Sequence, residues 1–279
     1  MREVKAAAVR QAVKEACMHM SFRLPPDVKK KLNEMRRHEN DAGALQILAL
    51  MEENEEVARE EGLPICQDTG MVVAFVEMGQ EVVVTGELEG AIHAGVREGY
   101  QEGLLRKSVV SDPLRRTNTG DNTPAVIHWK LVPGNRLTLH LAAKGFGSEN
   151  MSRLAMLKPS AGVTGVKDFV MDTIRLAGSN PCPPVVVGVG LGGTFDYAAM
   201  LAKKALLRSL DDAHPDPFYA QLENTLLKEI NALGIGPQGF GGRTTALAVK
   251  IESFPTHIAG LPVAVNLNCH VARHETISL

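Results

Sequence analysis

The hydrophobic period changes at Gly62, and this limits the chain to a fold in which helices precede a body of mixed strand and helix. Before Gly62, Val9, Val13, Ala16, Cys17 and Met20 recur at the 3.6-residue spacing of one helix face. That helix occupies the first twenty or so residues and ends at Pro25-Pro26, because proline lacks the amide that the next turn needs. Val28, Leu32 and Met35 mark a second helix, and Leu45, Leu48 and Ala49 a third that closes near Gly62. After Gly62, residues 71–78 form a near-continuous apolar run of strand length, and Leu88, Ile92 and Val96 mark a helix. Residues 125–131 and 137–143, joined through Pro133-Gly134-Asn135, predict an antiparallel hairpin. Residues 185–189 read as a buried strand, and Leu222, Leu226, Ile230 and Leu233 as a late helix stopped by Gly234.

These elements predict an α+β fold: N-terminal helices over residues 1–61, followed by mixed, largely antiparallel sheet segments with packed helices. No repeat, low-complexity tract or Ser/Gly linker divides the 279 residues, so a single domain over 1–279 is expected. Glycines concentrate in 143–148, 188–193 and 234–242, where the backbone needs positive φ or must approach something closely.

A formal net charge of −2 leaves no electrostatic footprint for nucleic acid, and Lys29-Lys30-Lys31 and Arg36-Arg37 read as a solvated helix face. Charges begin at once in Met-Arg-Glu-Val-Lys, without the apolar stretch of a signal peptide. No run approaches the roughly 18 apolar residues of a membrane helix. A soluble, cytoplasmic chain with no membrane or nucleic-acid partner is expected.

Four cysteines are too few for a disulfide framework. Cys17 falls on a helical core face and reads as a small buried hydrophobe. Cys66, Cys182 and Cys269 instead sit in loop contexts, in Pro-Ile-Cys-Gln-Asp-Thr-Gly, Asn-Pro-Cys-Pro-Pro and Asn-Leu-Asn-Cys-His. No pair has the two-residue spacing of zinc ribbons or ferredoxins, so spacing alone leaves three structural cysteines and a metal or cluster site both open.

The surrounding motifs are more specific. Residues 64–70 (PICQDTG), 118–124 (NTGDNTP), 144–150 (KGFGSEN), 182–190 (CPPVVVGVG), 236–242 (GPQGFGG) and 268–270 (NCH) together resemble the α subunit of class I fumarate hydratases. The related L-tartrate dehydratase α subunit shares the CQDTG and CPP segments. The 144–150 stretch looks more like the fumarase branch, with Phe146 where that branch usually has glycine.

The resemblance implies that Cys66, Cys182 and Cys269 ligate a four-iron, four-sulfur cluster, leaving one iron open as a Lewis acid. It also implies a dicarboxylate pocket lined by Gln67, Asp68, Arg106, Gly145, Ser148, Asn150 and His257, with Asp68 and His257 nearest the chemistry. Arg106 would offer a planar fork to a carboxylate. The implied activity is reversible hydration of fumarate to (S)-malate, with L-tartrate dehydration as the alternative. No residue here stands out as the base that removes the carbon-bound proton. In two-chain members of the family a separate β subunit follows, and it is expected to supply that base. The face it would cover leaves the isolated chain prone to self-association.

Two rival readings fail on context. Gly188-Val189-Gly190-Leu191-Gly192-Gly193 fits a dinucleotide fingerprint, but no second strand leads to Asp211-Asp212. An electron carrier would normally have four cysteine ligands rather than three beside Arg and His.

Overall fold

The computed structural model describes all residues 1–279. The chain runs β1 (Arg2–Lys5), α1 (Ala6–Phe22), α2 (Pro26–His38), α3 (Ala42–Glu61), β2 (Met71–Gly79), β3 (Val82–Thr85), α4 (Leu88–Glu102), β4 (Val126–Val132) and β5 (Leu137–Lys144). It continues through α5 (Phe146–Glu149), β6 (Arg153–Leu157), α6 (Gly162–Ala177), β7 (Val185–Gly193), α7 (Phe195–Ala205), α8 (Pro217–Asn231), β8 (Ala246–Thr256), β9 (Leu261–Asn268) and β10 (His274–Ser278). This is the α+β architecture that the hydrophobic pattern predicts. No helix is long and apolar enough to cross a membrane. The chain packs as two compact units: Met1–Pro25, Asn54–Phe146 and Arg273–Leu279 form the first, and Pro26–Glu53 with Gly147–Ala272 the second.

In the first unit a four-stranded sheet has the order β10-β5-β2-β4. β2 pairs antiparallel with β5 and parallel with β4. The expected hairpin between residues 125–131 and 137–143 is therefore absent, since β2 lies between its two arms. β2 is apolar on both faces, with Val72, Val73, Ala74, Phe75 and Val76 all buried, so it takes the centre of the sheet. β4 exposes Trp129 and Leu131 and takes an edge. The turn at 133–136 closes over the end of β2: Gly79 N donates to Arg136 O at 2.8 Å and Glu81 N to Gly134 O at 2.9 Å.

The chain also opens in a strand rather than a helix. β1 pairs in parallel with β3, from Arg2 opposite Val82 to Lys5 opposite Thr85, and α1 begins only at Ala6. Against α1 packs α4, along a line of glycines four residues apart. A Cβ on Gly95 would stand 2.5 Å from Arg10 O, and one on Gly99 would stand 2.8 Å from Cys17 Cβ. This close crossing seals Cys17, which is fully buried, and burial pushes its thiol up to about 12. A thiol so protonated is chemically inert.

In the second unit the sheet order is β6-β9-β7-β8. Alternate residues of β7 face opposite layers. Val185, Val187, Val189 and Leu191 join a core with α6 and α8. On the other face a Cβ on Gly188 would lie 2.2 Å from Ala202 O, and one on Gly190 would lie 2.1 Å from Ala198 O. The fingerprint-like glycines therefore seat α7 on the sheet. Gly190→Ala is expected to cost about 1–3 kcal/mol in urea unfolding, because the new methyl meets backbone that cannot swing away.

Candidate functional site

The loop at 64–70 is held by residues far from it in sequence. Gly70 needs its bare backbone: its φ is +80°, and a Cβ there would lie 2.8 Å from Ala143 C. Its carbonyl accepts from Tyr100 Oη at 3.0 Å and from Asn122 Nδ2 at 3.1 Å. Asn122, itself fully buried, accepts through Oδ1 from Ser108 N at 2.7 Å and Val109 N at 3.2 Å. One amide thus ties the 118–124 motif to the 64–70 motif and to the segment after Arg106. Thr69 Oγ1 donates to Arg106 O at 2.9 Å, which fixes the Arg106 backbone while its side chain stays exposed. Next to Asn122, burial would raise the Asp121 carboxyl, but hydrogen bonds from Arg97 and Thr123 hold it well below the ordinary carboxylate range.

Asp68 is half-buried, and both its oxygens are engaged. Oδ1 accepts from Gly70 N at 3.0 Å, and Oδ2 accepts from Phe146 N at 2.9 Å. Gly145 lies against this carboxylate: a Cβ there would stand 3.2 Å from Asp68 Oδ2 and 3.5 Å from Arg273 Nη2. Cys66 Sγ donates to the exposed Gln67 at Oε1, 3.3 Å away. Within the first unit the structure therefore joins Asp68, Gly145 and the Arg106 backbone around one loop.

Arg273 is the residue the motifs did not reveal. It is only 1% exposed, and its Nε and Nη1 have no hydrogen-bond partner. Leaving buried donors unsatisfied costs about 1–3 kcal/mol. Arg273→Met, apolar and similar in length, is expected to raise stability by about that amount in urea unfolding. A loss of stability would mean that those two nitrogens are satisfied in solution.

In the second unit, β7 and β9 run antiparallel with Val186 opposite Asn268. Cys182 precedes β7 and Cys269 follows β9, so the sheet brings these two cysteines to one end although the sequence separates them widely. His270 N donates to Cys182 O at 3.4 Å, and its Nδ1 lies 3.1 Å from the same oxygen. Ser148 is buried on α5 and Asn150 is exposed just beyond it.

His257 lies elsewhere in this unit. It is exposed in the connection from β8 to β9, and its Nδ1 accepts from Ala259 N at 3.2 Å. β9 runs from that connection to Cys269 over 8 residues, which at strand rise places His257 roughly 26 Å from Cys269. Around it Phe254 and Ile258 are exposed, and Phe254 packs edge-to-face on Tyr197 with centroids 4.6 Å apart.

Nowhere do three or more His, Cys, Asp or Glu side chains gather closely enough to hold a single metal ion. A four-iron cluster is far larger than one ion, and its ligands stand correspondingly farther apart. The donor chemistry fits such a group. Cys66, Cys182 and Cys269 are outside any disulfide and reach the surface, Cys182 and Cys269 share one sheet end, and Arg273 places a buried positive charge behind the Asp68 loop.

The chain matches the family described as fumarate hydratase (Fumerase) over residues 10–278. It is 42% identical over 272 residues, 95% of each chain, to a putative L(+)-tartrate dehydratase subunit alpha of Methanocaldococcus jannaschii. It is 36% identical over 262 residues, 92% of this chain and 86% of the relative, to the L(+)-tartrate dehydratase subunit alpha of Escherichia coli strain UTI89. The chain therefore belongs to the fumarate hydratase (Fumerase) family of hydro-lyases.

Proposed function

We propose that this protein is the α subunit of a two-subunit hydro-lyase that interconverts fumarate and (S)-malate, with Cys66, Cys182 and Cys269 holding a four-iron, four-sulfur cluster. The observation that carries this reading is the convergence of the Cys182 and Cys269 loops at one end of β7 and β9. Residues 1–279 act as one cluster-binding domain, in the cytoplasm and within the tricarboxylic acid cycle. L(+)-tartrate is the second substrate reading, favoured by the names of the relatives.

When bound, the cluster supplies an iron open to the substrate hydroxyl. The chain's own residues bind and orient. Arg106 grips one carboxylate with two parallel charged hydrogen bonds. Gly145 and Ser148 offer donors on the 144–150 segment, and Gln67 and Asn150 complete the polar lining. Asp68, anchored by Gly70 N and Phe146 N, keeps lone pairs free to orient a proton carrier or Arg106. The base that removes the carbon-bound proton comes from the β subunit, whose closure also excludes water and strengthens these contacts. His257 donates to a substrate oxygen from a second copy of the chain, because it stands a strand length from its own Cys269.

The decisive experiment is anaerobic reconstitution with iron, sulfide and the β subunit, followed by assays with fumarate, (S)-malate and L(+)-tartrate. Turnover of fumarate and (S)-malate above that of tartrate is expected. The reverse ranking would establish the tartrate reading, and turnover of none would remove both.

A further inference from the structure

We infer that Gln238 and His270 are positioning residues for Cys182, forming a clamp on the backbone that carries its thiol. The inference rests on the reading of Cys182 as a cluster ligand. Cys182 has a φ of +54°, a left-handed conformation unfavourable for a residue with a side chain. It is followed by Pro183 and Pro184, neither of which has an N–H, so the two residues after it supply the turn with no donor. Its hold comes through carbonyls. Pro183 O accepts from both Gln238 N at 2.8 Å and Gln238 Nε2 at 3.0 Å, while Cys182 O accepts from His270 N. Gln238 Nε2 lies 3.3 Å from His270 Nδ1 and joins the two halves of the clamp.

The support beneath is equally specific. Cys182 N donates to Ser179 O at 3.0 Å, and Ser179 fills the space a side chain on Gly239 would need: a Cβ there would stand 2.4 Å from Ser179 Cβ. Gln238 is itself left-handed, with a φ of +53°. Two unfavourable backbone conformations thus face each other and are held by this network, an arrangement suited to fixing a side chain's direction. A serviceable loop would need neither. Because His270 directly follows Cys269, the clamp also ties the second thiol's loop to the first. This assigns a task to two motifs, 236–242 and 268–270.

The test uses the full chain reconstituted anaerobically with iron and sulfide. Cluster retention is followed by visible absorbance and released iron under an excess of chelator, and fold by urea midpoint. Gln238→Ala and His270→Ala are expected to lose the cluster about 10–100-fold faster than the parent, as outer-shell changes at metal sites do. Their urea midpoints are expected to stay close to the parent's. His270→Asn, whose Oδ1 can accept from Gln238 Nε2 where Nδ1 lies, is expected to restore most of the retention. Parental retention in both alanine variants would overturn the clamp. So would loss that merely parallels a lowered urea midpoint, with His270→Asn no better than His270→Ala. Cys182→Ser is the reference: full iron and sulfide in that variant would instead overturn the ligand assignment on which the clamp rests.

Discussion

Serine at position 66, 182 or 269 is expected to reduce iron and sulfide in the anaerobically reconstituted chain to near background, whereas Cys17→Ser leaves both intact. Each of the three is a loop cysteine outside any disulfide, and a three-thiolate set has no spare ligand to replace the one lost. Cys17 is sealed between α1 and α4, beside Gly99, with its thiol held protonated by burial. Its replacement buries a hydroxyl among apolar side chains, so Cys17→Ser is expected to cost about 1–3 kcal/mol of stability while cluster content stays unchanged. The two classes therefore separate on two independent readouts, metal content and urea midpoint. Full occupancy in any one of the loop variants would remove that residue from the ligand set.

The second large effect concerns His257. With the β subunit present, His257→Ala and Cys269→Ser are each expected to be inactive when assembled alone. Co-assembled in equal amounts, they should recover about a quarter of parental turnover, the statistical yield if two copies of this chain complete each other's sites in a two-fold dimer. The reason is distance. β9 separates the two residues within the second unit, and His257 sits in an exposed connection beside exposed Phe254 and Ile258, suited to being covered by another chain. No recovery on mixing, with both singles inactive, would place His257 at a site within its own copy or against the β subunit.

Local chemistry made much of this protein readable before its structure. The helices α1 to α4 and α8 announced themselves through 3.6-residue spacing, and β2 and β7 through short continuous apolar runs. Both signals arise from a single element meeting a core. Proline and the lack of helical spacing likewise separated three loop cysteines from Cys17, because a thiol on a core face must keep the period of its helix.

Pairing was harder to read. Residues 125–143 have the composition of a hairpin, yet β2, more apolar and from earlier in the chain, displaces β4 from β5 and takes the centre of the sheet. β1 spans only four residues, too few to set a period of their own against the helix that follows. The GVGLGG stretch reads as a ligand loop in one dimension, and only the seating of α7 shows Gly188 and Gly190 to be packing positions.

What local sequence settled is the helices α1 to α4 and α8, the strands β2 and β7, the α+β class and the separation of buried Cys17 from three loop cysteines, because each follows from side chains within a few residues of one another. The tertiary structure decided which residues support them. Asn122 bridges 64–70 and 118–124, Gln238 and His270 brace Cys182, Arg273 is buried with two unpaired nitrogens, and His257 lies a full strand from Cys269. Those relations join positions tens to hundreds of residues apart, and strand order and helix seating, set by competition among all apolar faces at once, are what bring them together or hold them apart.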